Sequence, residues 1–344
     1  MFPYIVISFL IVLCAFWGKK SQLGRIFAFV LVALFVGLRY KVGTDYESYS
    51  NYFHASLFFL EPGFNALITY LSQYENGEAY MFLTMSFVTY LFLYLYVEFN
   101  NDIKEAGYFP TILMFTLLTI TTTCNGIRQA LAASIFVFST LFIKNRKLPI
   151  FLALIGLGFL FHRSIIFVLP FYFIKDYHLK SWAYIIVYAI SFIFTQCDLQ
   201  TLVAPFQFLI ENNDRYMHMV EENYGTSYLG LGNFMQIMTY IILLWLTLRN
   251  KMHEKYPFYF NMFFITCVLM NMRIGASLFD RLMMYFSWFT FVLLPLTLKE
   301  EKKQMRKKEY TLFFIIWYII SNFNYIVFDK YSMLIPYHDI LGIF

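Results

Sequence analysis

The chain has 344 residues, 60% of them hydrophobic and 14% charged, with a formal net charge of +5 and a mean hydropathy of +0.60. Soluble domains carry roughly a quarter charged residues, so this composition excludes a soluble globular protein. The charge is no signature of a nucleic-acid partner, and the four cysteines (Cys14, Cys124, Cys197, Cys267) form neither a CxxC pair nor a metal-ligand spacing.

Apolar runs of the kind that cross a bilayer, about 20 residues each, recur from end to end. Hydropathy predicts segments near 2–17, 23–38, 79–97, 107–124, 127–143, 148–161, 165–174, 181–196, 233–249, 258–272, 279–298 and 311–328. The first lacks a basic n-region and runs into Gly18-Lys19-Lys20, so it reads as a membrane helix rather than a cleaved signal. Residues 39–78 form a long connection in which Phe64, Leu67, Ile68 and Leu71 fall at helical spacing, with Asn65, Thr69 and Ser72 on the other side. This predicts an amphipathic, interfacial helix over 62–75. Residues 148–174 read as two short runs broken at His162-Arg163-Ser164, meeting near one face or forming a re-entrant hairpin, with His162 facing a cavity. A second long connection, 197–232, holds the mixed stretch Glu211-Asn212-Asn213-Asp214-Arg215-Tyr216. The expected fold is all-α: one polytopic transmembrane domain over 1–344, with about 12 membrane segments and outer loops 39–78 and 197–232.

Placing Lys19, Lys20 and Arg25 inside and following the alternation puts 18 of the 26 basic residues in inner loops, an orientation that positive-inside bias favours. Of those 18, 14 are lysines, whereas six of the eight basic residues left outside are arginines: Arg39, Arg128, Arg163, Arg215, Arg273 and Arg281. Lysine and arginine are near-equivalent as topological charges. Guanidinium, however, binds phosphate through planar bidentate bonds and stays charged at low dielectric. The set therefore points to a lipid-linked phosphate or pyrophosphate at the outer face, against the plainer reading of snorkelling or headgroup contact. Cys124 and Cys197 fall on that same side, which leaves a disulfide between them open.

Further candidates cluster there. Asn125, Arg128 and Gln129 sit at i, i+3 and i+4 and would form one polar stripe facing a bundle interior. Arg273 and Asp280, seven apart, would share a face of a continuous helix, as a site or as a structural ion pair, and Arg281 follows directly. Asp45 follows Gly43-Thr44, where a turn can aim a carboxylate at the membrane surface. Glu61 precedes Pro62-Gly63 and serves equally as a helix cap. His162 is the one histidine set between apolar runs, as a core residue or a base. No DxD, HExxH or nucleophile elbow is present, so neither a metal nor a cofactor is expected.

The phrase Gly37-Leu38-Arg39-Tyr40-x-x-Gly43-Thr44-Asp45-Tyr46-x-x-Tyr49 resembles the opening signature of EpsG-like proteins. Glu61-Pro62-Gly63-Phe64, Asn125-Gly126-Ile127-Arg128-Gln129-x-Leu131-Ala132, Phe161-His162-x-Ser164, Arg281-x-x-x-Tyr285 and Pro336-Tyr337 follow in the family's order. The resemblance implies a Wzy-type polymerase of O-antigen, capsule or exopolysaccharide repeat units, with a C-type glycosyltransferase-like architecture. Such an enzyme transfers a growing glycan from undecaprenyl pyrophosphate to a new lipid-linked unit at the outer face of the bacterial cytoplasmic membrane. It also implies a flippase and a chain-length regulator as partners, beside membrane lipid and the lipid-linked oligosaccharides. On that reading Arg39, Arg128, Arg281, Arg273 and Arg215 bind pyrophosphate, and Asp45, Glu61 or His162 is the base, with Asp45 favoured. Thr44, Tyr46, Tyr49, Asn125, Gln129, Asp280 and Tyr285 contact substrate. Two rivals are a lipid-linked oligosaccharide flippase and a membrane O-acyltransferase acting through His162.

Overall fold

The computed structural model describes residues 2–55, 61–174, 176–196, 231–274, 278–327 and 333–343. Among these the chain is helical, without a strand beyond one antiparallel bridge between Arg39 and Asp339. In order come α1 (Phe2–Gly18), α2 (Gln22–Gly37), α3 (Tyr46–Ala55), α4 (Pro62–Leu71), α5 (Gly77–Phe99) and α6 (Asn101–Ala106). Next are α7 (Tyr108–Leu117), α8 (Ile120–Asn125), α9 (Ile127–Lys144), α10 (Leu148–Phe159), a 3-10 stretch (Arg163–Tyr172) and α11 (Ser181–Ser191), which a 3-10 turn (Phe192–Gln196) extends. The chain continues through α12 (Leu231–Arg249), α13 (Met252–Lys255), α14 (Pro257–Met272), α15 (Leu278–Ser287), α16 (Thr290–Glu300) and α17 (Gln304–Val327).

Each hydropathic segment falls on helical structure. By length and composition α5 and α9 each suffice to cross a membrane, and α15 with α16 do so together, bent by 50°. The other apolar helices with that character are shorter, 10–17 residues. Several details differ from expectation. The 107–124 segment is two helices, α7 and α8. The run after His162 is a 3-10 stretch containing Pro170, which cannot donate an α-helical hydrogen bond. The amphipathic helix stops at Leu71, and the 39–78 connection carries a second helix, α3.

The chain divides into two compact units, Met1–His162 with Lys302–Phe344, and Arg163–Glu301. In the first unit α4 buries Phe64, Ile68 and Leu71, one stripe at i, i+4 and i+7. That stripe packs with Tyr46, Tyr49 and Phe53 of α3, Met81, Phe82 and Met85 of α5, and Ile127, Leu131 and Ile135 of α9. Lysine and arginine at the expected inner ends are tied down by acids. Arg25 grips Glu98 with two bonds, Nε to Oε2 at 2.7 Å and Nη2 to Oε1 at 2.9 Å, and Lys144 pairs with Asp102. The second unit repeats the device with Arg249 on Glu301 and Lys255 on Glu300. Cys124 is a buried free thiol, so it forms no bridge; Cys197 lies outside the described residues.

Candidate functional site

The densest charged constellation lies in the first unit, where Glu61, Arg128 and His162 converge. Glu61 is followed by Pro62, which restricts it to an extended backbone, and Pro62 itself suits the first position of α4. Gly63 then donates its N–H to the Leu160 carbonyl at 2.8 Å, just past the end of α10. A Cβ at Gly63 would lie 2.8 Å from both that oxygen and the Leu160 Cβ, so only glycine permits the approach. The docking sets Glu61 beside the turn that carries His162.

The Glu61 side chain makes no helix cap, contrary to the capping alternative. Its Oε2 accepts from Arg128 Nη1, and its Oε1 lies 3.5 Å from His162 Nδ1. Glu61 and His162 are each 5% exposed. Burial alone would push the Glu61 carboxyl up. The hydrogen bond from His162 and the charges of Arg128 and His162 outweigh that and hold it at about 2, so it is ionised at neutral pH. The Arg128 guanidinium also lies 5.5 Å from the Phe64 ring centre and 5.7 Å from that of Tyr49, within cation–π range. Its Nε is buried and donates to no group among the described residues. Asp45 is half-buried and acts electrostatically on Tyr49, so it belongs to the same neighbourhood.

The Gly-Leu-Arg phrase does something else. Arg39 is fully enclosed and donates to three carbonyls: Val42 at 3.1 Å, Val36 at 2.6 Å and Cys124 at 3.0 Å, with its guanidinium over the Phe82 ring. The adjoining cavity, lined by Ser86, Thr89 and Thr123, measures about 10 Å³, room for one water and not for a pyrophosphate. In this arrangement Arg39 clasps three backbone carbonyls. Gly43, at φ +96°, completes the turn; a Cβ there would sit 2.7 Å from both Asn125 Oδ1 and the Cys124 carbonyl. The same Asn125 oxygen accepts from the Thr44 N–H at 2.9 Å. The C-terminal segment lies over this loop. Tyr337 donates to the Phe35 carbonyl at 2.6 Å with its ring stacked 4.2 Å from that of Phe35, and Tyr40 N–H donates to the His338 carbonyl.

The polar stripe expected on one helix is split: Asn125 ends α8, and Arg128 and Gln129 begin α9 after Gly126. Gln129 and Tyr46 are buried, the latter stacked on Phe82 at 4.5 Å, while Thr44 is exposed.

In the second unit Arg273 and Asp280 meet, Nη1 to Oδ1 at 3.0 Å, although Arg273 lies past the end of α14 and Asp280 on α15 rather than on one continuous helix. Asn233 and Gln236 of α12, which the sequence reading missed, accept from Arg273 Nη2 at 2.7 Å each. Their signal was two amides at i, i+3 opening an apolar run. Tyr285 shares a buried hydrogen bond of 2.8 Å with Ser164, another residue unassigned from sequence. Arg163 and Arg281 are half-buried, and Arg215 lies outside the described residues. Among the described residues no three His, Cys, Asp or Glu side chains group as metal ligands.

A family model described as the EpsG family matches residues 23–338. No curated protein and no solved structure matches the chain. The match covers nearly the whole sequence, both compact units included. With the apolar helices, it makes this chain a membrane protein of the EpsG family, with a role resembling that of a surface-polysaccharide polymerase.

Proposed function

We propose that the protein polymerises repeat units carried on undecaprenyl pyrophosphate, moving the growing glycan to a new lipid-linked unit at the outer face of the bacterial cytoplasmic membrane. The observation that carries this reading is the convergence of Glu61, Arg128 and His162 in a chain of this family. In the reaction an acceptor sugar hydroxyl attacks the anomeric carbon of the donor glycan and forms the new glycosidic C–O bond. The bond from that carbon to the pyrophosphate oxygen breaks, and its electron pair leaves with the lipid pyrophosphate. The hydroxyl proton passes to a base.

Arg128 is the group suited to the leaving pyrophosphate. Glu61 occupies one of its five donors, the aromatic rings hold the guanidinium plane, and its buried Nε remains for an anion. Preorganised charge of this kind is usually the largest catalytic contribution. Glu61, held at about 2, is a weak base and a good orienter. It lies 3.5 Å from His162 Nδ1 and orients the imidazole, and His162 is the proposed base. Asp45, favoured from the sequence, acts electrostatically on Tyr49, which lies against Arg128.

A deletion strain tests the reading. It should accumulate single repeat units on the outer face and regain chain ladders on complementation. A flippase would leave unflipped units inside, and an O-acyltransferase would leave a full-length polymer lacking acetyl groups.

A further inference from the structure

We infer that Arg273, Asn233, Gln236 and Asp280 form a second binding site, one for the hydroxyl groups of a neutral glycan segment rather than for pyrophosphate. The inference rests on the polymerase reading for the identity of its ligand.

Arg273 has only donors to offer, so each amide that contacts it must do so through oxygen. Nη2 bonds Asn233 Oδ1 and Gln236 Oε1 at 2.7 Å each, which fixes both amide orientations. The Gln236 NH2 therefore points away from the arginine as a donor. Asn233 and Gln236 are three apart on α12 and share one of its faces. Nη1 bonds Asp280 Oδ1 at 3.0 Å, and the Asp280 side chain is 59% exposed, so its second oxygen stands at the surface as an acceptor. The arginine itself is only 16% exposed.

Two physical consequences follow. Asp280 and the two amide oxygens engage both terminal nitrogens of Arg273, which leaves it less open to a pyrophosphate than Arg128, whose Nε bonds no described group. What the cluster holds is an amide donor on Gln236 and a carboxylate acceptor on Asp280, both tied to Arg273. A sugar hydroxyl both donates and accepts, so this surface suits a polyhydroxylated ligand.

Gln236→Glu separates this role from a mere tie between helices. Glutamate keeps an oxygen for Arg273, so the tie survives, but the outward donor becomes an acceptor. The full-length protein in lipid nanodiscs is titrated with the repeat-unit oligosaccharide released from its lipid and stripped of phosphate, and separately with inorganic pyrophosphate. We expect the wild type to bind the oligosaccharide and Gln236→Glu to bind it about tenfold more weakly, with unchanged thermal stability and pyrophosphate affinity. Equal oligosaccharide binding by both proteins overturns the site, as does a loss confined to pyrophosphate. Polymerisation of lipid-linked units is followed in the same nanodiscs. A wild type that polymerises while showing no oligosaccharide binding removes this site and leaves the polymerase standing. A wild type that binds in a Gln236-dependent way and does not polymerise removes the polymerase reading instead.

Discussion

Glu61 and Arg128, 67 residues apart in the chain, meet as a buried ion pair between the start of α4 and the start of α9. The same carboxylate reaches His162, so one acidic side chain holds both the cation and the imidazole of the candidate site. A pair this enclosed is costly to break from one side, because the survivor keeps an uncompensated charge.

Replacing Arg128 by lysine retains the charge and discards the planar fork. Arg128→Lys should cut polymerisation by about 100-fold, the scale of losing one preorganised donor to developing charge. Protein level and single-unit transfer to the final acceptor should persist. Chain ladders of wild-type intensity on a gel would remove Arg128 from the pyrophosphate site.

Acid stability carries a defined sign. The Glu61 carboxyl is depressed from 4.5 to about 2 in the folded protein. Its charge therefore contributes stability that is fully present above pH 4.5 and is lost as pH falls toward 2. Glu61→Gln should be less stable at neutral pH by about 3 kcal/mol, since Arg128 is left buried and unpaired. It should also lack that part of the acid dependence. Melting temperatures in detergent across this range give both answers; parallel curves for the two proteins would contradict the assignment.

Arg39 should behave as a structural residue. Arg39→Lys cannot serve the carbonyls of Val36, Val42 and Cys124 together, and each buried acceptor left unmet costs about 1–3 kcal/mol. The expected result is a large drop in monodisperse protein on size exclusion. A well-folded Arg39→Lys protein with selectively weakened pyrophosphate affinity would restore the ligand role inferred from sequence.

Gly43→Ala should fail in the same way. The substitution strains a backbone at φ +96° and drives a methyl into Asn125 and the Cys124 carbonyl. Tyr337→Phe, which loses one hydrogen bond to Phe35 and keeps the ring stack, should cost only about 1 kcal/mol. A yield loss from Tyr337→Phe as large as that from Gly43→Ala would show that the hydroxyl matters as much as the turn.

The helix positions were legible because hydrophobic runs are the main constraint on a chain in lipid. The break at His162 was legible for the same reason: neither flanking run spans alone. The chemistry was less so. Arg39 and Arg128 look alike in the sequence, each in a family phrase at an outer helix end. Only packing reveals that the first is enclosed by carbonyls and the second by a carboxylate and two rings. Glu61 carried equal marks of a cap and of a site residue, and its choice depends on α4 docking against Leu160, a contact nearly 100 residues away along the chain. The Arg273–Asp280 pair was found through a spacing argument whose premise, a continuous helix, does not hold; the contact survives because α14 and α15 pack together.

Polymerisation is measured with the purified protein in liposomes supplied only with undecaprenyl-pyrophosphate-linked repeat units. The expected result is a ladder of glycans on lipid with one undecaprenyl pyrophosphate released per linkage, abolished by His162→Ala and cut about 100-fold by Arg128→Lys. Single units that stay unlinked in the presence of folded wild-type protein, or a ladder that persists in His162→Ala, would contradict it.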